Sequence, residues 1–325
     1  MQKPSFSIAS ITDNNFEKYA LDVFHYQASE NPVYKEYLQR IHCNKQHINS
    51  INEIPFLPIA FFKSHRVVTG THQEQQVFLS SGTTGMQRSK HFIVDNDLYR
   101  QSFRKGFEFF YGSPRNYTIL ALLPSYLEQQ QSSLVFMMDD LIRESHDKNS
   151  GFYLNDYKRL AAILPSLDSS GKKVFLIGVT YALLDLLEIQ TFQLKNTIIM
   201  ETGGMKGRRK EMIKSALHEV LQKGFGVPEI HSEYGMTELL SQAYSQGDGL
   251  FQTPPWMRVL IREPEDPFHL LPQGKSGGIN LIDLANMYSC SFIATQDLGK
   301  IHPNGQFEIL GRFDHSDIRG CNLML

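Results

Sequence analysis

Apolar positions recur with helical spacing at the start of the chain and give way to compact apolar runs further on. Phe16, Tyr19, Ala20, Val23 and Phe24 form one stripe at a period near 3.6, so residues 13–50 read as helical. Asp13 is placed to cap the first helix, with Glu17 in its first turn. A second helix is expected through Tyr34, Tyr37, Leu38 and Ile41, entered at Asn31-Pro32. The run from Ile54 to Phe62 is apolar but broken by Pro55 and Pro58, and reads as a packed connector.

From about residue 76 the pattern becomes strand–loop–helix. Val77-Phe78-Leu79 reads as a short strand and residues 96–111 as a helix. Thr118–Leu123, Lys173–Gly178 and Thr197–Met200 read as buried strands, with helices around Ala182–Leu187 and Lys206–Gly224. Alternation of this kind predicts a sheet with parallel strands and helices on its faces. After about residue 245, short alternating runs at Trp256–Ile261, Gly278–Ile282 and Gln306–Leu310 predict antiparallel β structure, and Asn304-Gly305 predicts a two-residue hairpin turn. The expected organisation is one α/β domain with a helical part at 1–75, an α/β core at 76–245 and a β-rich part at 246–325.

With 325 residues, 41% of them hydrophobic and 20% charged, the chain can bury a substantial core. A net charge of −2 offers no bulk attraction for nucleic acid or an anionic membrane. The three cysteines, Cys43, Cys290 and Cys321, form no CxxC pair, so a zinc knuckle or disulfide framework is not expected and a cytoplasmic location is. Met1–Ser5 leads into no apolar run of the kind a secretory leader needs. No run approaches the roughly 20 apolar residues that cross a bilayer.

Four segments carry candidate chemistry. Ser80-Ser81-Gly82-Thr83-Thr84-Gly85 combines two permissive glycines with four hydroxyls. Such a loop can wrap a triphosphate with hydroxyls and backbone N–H groups. Taken alone it is equally a polar strand-to-helix turn. It is not a Walker loop, because no Gly-Lys-Ser/Thr follows it, and Gly274-Lys275-Ser276 has His269 where that pattern needs glycine. Glu233-Tyr234-Gly235-Met236-Thr237-Glu238 offers a ring for adenine, a hydroxyl for a phosphate and a carboxylate for Mg²⁺. The same residues also suit a strand end followed by a helix cap. Asp297-Leu298-Gly299 and Gly311-Arg312-Phe313-Asp314 supply an acid for ribose hydroxyls and a cation beside it, or simply two surface turns.

In this order the motifs resemble those of the adenylate-forming (acyl-activating) superfamily, which includes acyl-CoA synthetases, firefly luciferase and adenylation domains. Within it the chain is most similar to the acyl-protein synthetase family of bacterial bioluminescence, the long-chain-fatty-acid–luciferin-component ligases. Phenylacetate–CoA ligases come next. Glu201-Thr202-Gly203-Gly204-Met205-Lys206, the Tyr234 motif and the ending Arg319–Leu325 carry that choice. The resemblance implies a large adenylation domain with two mixed, mainly parallel sheets flanked by helices and a smaller β-rich part. It implies ATP gripped by Ser80, Ser81, Gly82, Thr83, Thr84 and Gly85, and adenine lined by Gly203 and Gly204 with Tyr234 on its face. It also implies Thr237 at the α-phosphate, Glu238 on Mg²⁺, and Asp297 at the ribose with Arg312 nearby. Arg88 stands where many members have a lysine.

The implied activity is conversion of a carboxylic acid, fatty or aromatic, to acyl-AMP, followed by transfer to a thiol. Cys321 matches the cysteine that accepts the acyl group in the bioluminescence family, with a reductase or other acyl-accepting protein as partner. A thiolate attacking a mixed anhydride gives a thioester and releases AMP. As a small apolar residue closing a strand, Cys321 has an equally plain reading, whereas Cys43 and Cys290 read as structural. The chain stops just after the hinge motif, so the usual C-terminal lid domain and its lysine are expected to be absent. The activity would then do without that lysine, borrow Lys90, Lys206 or a partner's, or be weak. Three other readings fit the same motifs: a CoA ligase of the phenylacetate type, an acyltransferase between thioesters, and a non-enzymatic scaffold subunit. His231 is a candidate for the acyl pocket or a satisfied buried histidine.

Overall fold

The structure is a computed structural model that describes residues 3–81, 87–124, 131–203 and 212–313. In chain order its first elements are α1 (Asp13–Glu30), α2 (Pro32–Arg40), β1 (Leu57–Pro58), α3 (Phe61–Ser64), β2 (Gln76–Leu79), β3 (Lys90–Ile93) and α4 (Asn96–Tyr111). Then come β4 (Tyr117–Leu122), α5 (Ser133–Glu144), β5 (Gly151–Phe152), α6 (Tyr157–Asp168), β6 (Lys173–Val179), α7 (Thr180–Ile189) and β7 (Thr197–Thr202). The last are α8 (Lys214–Phe225), β8 (His231–Tyr234), β9 (Ala243–Ser245), β10 (Phe251–Gln252), β11 (Met257–Arg262), β12 (Ser276–Asp283), β13 (Phe292–Ile301) and β14 (Phe307–Arg312). The chain packs as two compact units, Met1–His72 with Pro255–Leu325, and Gln73–Pro254.

In the first unit, β11, β12, β13 and β14 form an antiparallel sheet, and β1 joins β13 in parallel. The expected connector is thus partly a strand: Pro58 gives no N–H, and pairing continues through the Ile59 N–H, which donates to the Ala294 carbonyl. The stripe on α1 buries Phe16, Ala20, Val23 and Phe24. Phe24 meets Tyr34 and Phe292 edge-on. Thr12, not Asp13, is the N-cap of α1; its N–H donates to Asn15 Oδ1 at 2.8 Å, and Asp13 instead pairs with Arg258 at 2.7 Å. At the other end of that helix Asn31 caps α2, accepting from the Tyr34 N–H at 3.0 Å.

The expected two-residue turn at Asn304-Gly305 is a three-residue loop. The His302 N–H donates to the Gln306 carbonyl, enclosing Pro303, Asn304 and Gly305, with Gly305 at φ +82. A two-residue loop would need Pro303 to pair with Gln306, and proline has no N–H to give.

In the second unit the strand order is β10-β9-β8-β7-β6-β4-β5. The pairs from β8 through β5 are parallel, and β9 and β10 are antiparallel. Every residue of β4 is buried, as the apolar run predicts for a strand covered on both faces. Asp168 at the end of α6 ties that helix to β7, accepting from the Lys195 and Asn196 N–H groups and from Thr197 Oγ1. β2 and β3 pair separately as an antiparallel ribbon, so Ser80–Gly85 lies between two strands rather than between a strand and a helix. The helix expected at 96–111 follows β3, capped by Asp95. Among the described residues no helix is long and apolar enough to cross a membrane.

Candidate active site

Three neighbouring parallel strands of the second unit, β6, β7 and β8, end at Val179, Thr202 and Tyr234, and in such sheets ligands bind beyond the carboxyl ends. Most of the predicted residues of this unit belong to that rim or to the ribbon beside it. Gly203 follows β7 at φ +64, a left-handed turn that a side chain disfavours, and its carbonyl accepts from Thr180 Oγ1 at 3.0 Å. Tyr234 ends β8, 8% exposed, with its ring edge-on to Phe251. Thr237 and Glu238 occupy the centre of a turn closed by the Leu239 N–H on the Met236 carbonyl at 3.1 Å. Glu238 is buried.

Ser80 closes the neck of the glycine-containing loop. Its N–H donates to the Ser89 carbonyl at 3.1 Å, and its Oγ accepts from the Ser89 N–H at 2.9 Å. Ser81 is exposed and Arg88 is partly buried. Gly82, Thr83, Thr84, Gly85, Gly204 and Cys321 lie outside the described residues, as do Lys206 and Asp314.

The fold brings the loop neck and the Thr237 turn together through a residue that sequence reasoning missed. His91 on β3 is buried, and its Nδ1 lies 2.8 Å from the Thr237 carbonyl. A carbonyl only accepts, so Nδ1 carries the proton. Burial pushes the imidazole down to about 4, against a smaller upward pull from that bond, so the ring is neutral around pH 7. No spacing rule finds a contact between residues so far apart in the chain.

Two carboxyls on adjacent strands are shifted in opposite directions. Glu201 Oε1 accepts from Lys214 Nζ at 2.7 Å and Ser232 Oγ at 2.6 Å, with His218 Nε2 at 3.6 Å. Burial alone would raise it. The Lys214 charge, the bonds from Lys214 and Ser232, and the nearby His218 outweigh that and hold it at about 2. Glu233 pairs across the sheet with Thr202, whose Oγ1 donates to Glu233 Oε2. Burial, with the Glu201 charge added and the Thr202 bond opposing, lifts Glu233 to about 7. Gly235 leaves room for it, since a Cβ there would lie 2.3 Å from Glu233 Oε1. His231 contacts the Tyr111 hydroxyl through Nδ1 at 3.1 Å, and burial lowers it to about 4. A neutral, hydrogen-bonded His231 fits the satisfied-histidine reading.

In the first unit, Asp297 on β13 sits directly opposite Arg312 on β14, with Nε 3.2 Å from Oδ1. Asp297 is therefore a strand residue, not a turn residue. Gly299 allows the close strand approach that follows it, because a Cβ there would meet the Glu308 carbonyl oxygen at 2.6 Å. Among the described residues no three His, Cys, Asp or Glu side chains cluster as metal ligands. A Mg²⁺ ion usually takes one or two carboxylates and completes its shell with phosphates and water, so Glu238 alone fits an ion that arrives with a triphosphate.

The sequence pattern of the family described as "Acyl-protein synthetase, LuxE" matches residues 135–325. The long-chain-fatty-acid–luciferin-component ligase of Aliivibrio fischeri is 21% identical over 338 aligned residues, covering 95% of this chain and 87% of the relative. Among solved structures, 2-hydroxyisobutyryl-CoA ligase in complex with 2-HIB-AMP and CoA superposes with a TM-score of 0.70 at 13% identity, covering 93% of this chain and 68% of that one. ATP-bound MatB from Rhodopseudomonas palustris gives 0.55 at 17% identity, and the match spans 73% of this chain but only 47% of that enzyme. The likenesses to solved structures show the fold of the adenylate-forming enzymes. The family match decides membership: the chain belongs to the acyl-protein synthetase family, LuxE, of acid–thiol ligase type.

Proposed function

We propose that this chain activates a carboxylic acid with ATP and passes the acyl group to a thiol. A carboxylate oxygen bonds to the α-phosphorus, the bond to the β-phosphate bridge breaks, and pyrophosphate leaves. The resulting acyl-AMP then loses AMP to an attacking thiolate, forming a thioester. The observation that carries the reading is the His91–Thr237 contact. It ties the β2–β3 ribbon that presents the first motif to the turn that carries the second, between residues 146 apart in the chain, and the reaction needs those two motifs side by side.

In this reading Ser80–Gly85 and Arg88 hold the phosphates, Thr237 meets the α-phosphate, Gly203 and Gly204 line the adenine against Tyr234, and Asp297 with Arg312 takes the ribose. Glu238 would hold Mg²⁺, which neutralises phosphate charge when bound. The acid is proposed to be fatty, because the Aliivibrio relative is named for a long-chain fatty acid. Cys321 is the proposed acceptor, with a further acyl-accepting protein as partner.

Burial supports that choice by elimination. Cys290 is fully buried, with its thiol pushed up to about 12 by desolvation, and Cys43 is raised for the same reason. The test is acid-dependent exchange of radioactive pyrophosphate into ATP across a series of straight-chain acids. Exchange that Glu238→Gln depresses supports adenylation. No exchange with any acid, under conditions where the chain still binds ATP, removes the reading.

A further inference from the structure

Thr237 and Glu238 share one peptide unit, and that unit is planar, so fixing its carbonyl fixes the plane that joins the Cα atoms of both residues. The carbonyl in question is Thr237's, and the group that holds it is His91 Nδ1 at 2.8 Å. His91 itself cannot drift. It is 1% exposed and sits on β3 directly across from Phe78 on β2. Phe78 in turn packs edge-on against the stacked rings of Tyr99 and Phe136. Two residues before His91, Ser89 closes the loop neck with Ser80 in reciprocal hydrogen bonds. The ribbon that presents the glycine-containing loop therefore also grips the turn carrying Thr237 and Glu238.

We propose that His91 is a positioning residue: its Nδ1–H holds the Thr237 carbonyl so that the Thr237 hydroxyl and the Glu238 carboxylate stay aligned with the phosphates gripped by the loop on the same ribbon. This rests on the adenylation reading. Its role is to fix distance between two parts of one reacting centre, where a displacement near 1 Å costs about a hundredfold in rate. It touches no reacting atom. The contact acts on turnover rather than on nucleotide affinity, because the Ser80–Ser89 bonds at the loop neck and the Tyr234–Phe251 ring contact do not depend on it.

The test compares His91→Asn with His91→Leu in the full chain. The two replacements have nearly the same shape, and only asparagine has a donor where Nδ1 sits. Pyrophosphate exchange gives kcat and KM for ATP, and thermal melting checks folding. We expect His91→Leu to lower kcat about 10- to 100-fold with KM for ATP within about threefold, and His91→Asn to restore most of the loss. If His91→Leu does not fold, His91→Gln takes its place, since its amide lies one bond too far out to reach the carbonyl and should be equally slow. A folded His91→Leu or His91→Gln with wild-type kcat overturns the proposal, as does His91→Asn being no faster than either. Absence of exchange in the wild-type chain overturns the adenylation reading, and this role for His91 with it. Wild-type exchange with insensitive variants overturns only the role of His91.

Discussion

Lys214 reaches back from the first turn of α8 to place its ammonium 2.7 Å from the Glu201 carboxylate at the end of β7. The same ammonium lies 4.9 Å from the centre of the Phe251 ring. Glu201 is almost fully buried, whereas the Lys214 side chain is one-third exposed, so the pair is a buried anion held by a partly wet cation. Removing the cation strands the anion, and that is the costly direction.

Lys214→Met is therefore expected to destabilise the fold by about 2 kcal/mol, below the usual cost of breaking a fully buried pair because water screens part of the charge. The folded Glu201 is held at about 2, below its ordinary 4.5, so its contribution is complete above pH 4.5 and disappears as pH falls toward 2. Without Lys214 the acid transition should move to higher pH. Urea denaturation from pH 3 to 7 would show it, and Glu201→Gln in the Lys214→Met background should recover part of the loss. An unchanged acid limb in Lys214→Met would mean that the pair contributes nothing.

Glu233 predicts the opposite slope. Its folded value of about 7 lies above the ordinary 4.5, so the folded state holds a proton that the unfolded state has released. The associated stability is complete below pH 4.5 and falls as pH rises through 7. Glu233→Gln keeps an acceptor for Thr202 and removes the titration. It should nearly match wild type at pH 4.5 and exceed it by about 3 kcal/mol at pH 8. Melting curves at the two pH values decide this, and equal midpoints at both would place Glu233 outside the buried environment described above.

Strands and helices with a strong period were legible in the sequence. The stripe on α1 and the apolar runs of β4, β6 and β7 needed only local pattern. What the sequence hid was long-range. β13 was not anticipated because its core face is interrupted by Thr295 and Asp297, polar residues that only their partners explain: Thr295 Oγ1 donates to the Ile279 carbonyl and accepts from the Asp297 N–H. The loop at 80–85 invited a strand-to-helix reading because nothing local shows that Lys90–Ile93 returns alongside β2. Glu201 was visible within its motif, but Lys214 and His91 acquire meaning only from residues the fold brings to them.

Asp297 and Arg312 offer a clean test of binding apart from stability. Arg312 is 72% exposed, so its pair with Asp297 adds little to folding. Arg312→Ala should leave the melting temperature nearly unchanged while raising KM for ATP several-fold, and, on the proposed ribose role, Asp297→Asn should raise it by about tenfold through loss of charge-assisted bonds. Gly299→Ala, in contrast, should be destabilising, because its Cβ would be forced to within 2.6 Å of the Glu308 carbonyl oxygen across the sheet. Unchanged KM in both charge variants would remove this strand pair from the nucleotide site.

The acyl acceptor can be settled by labelling. A thiol must ionise to attack an acyl-adenylate, and Cys290, fully buried and raised to about 12, does not do so near neutral pH. Cys43 is only partly buried but is also raised. Cys43→Ser and Cys290→Ala should therefore keep both pyrophosphate exchange and covalent labelling by a radioactive fatty acid. Cys321→Ser should keep exchange and lose the label, because activation precedes transfer and does not use the thiol. The label in wild type should be released by neutral hydroxylamine, as a thioester is, and mass spectrometry of the digested chain should find it on the Cys321 peptide. A label that survives Cys321→Ser moves the acceptor elsewhere in the chain. A chain that never labels but still exchanges points to an external thiol as the second substrate.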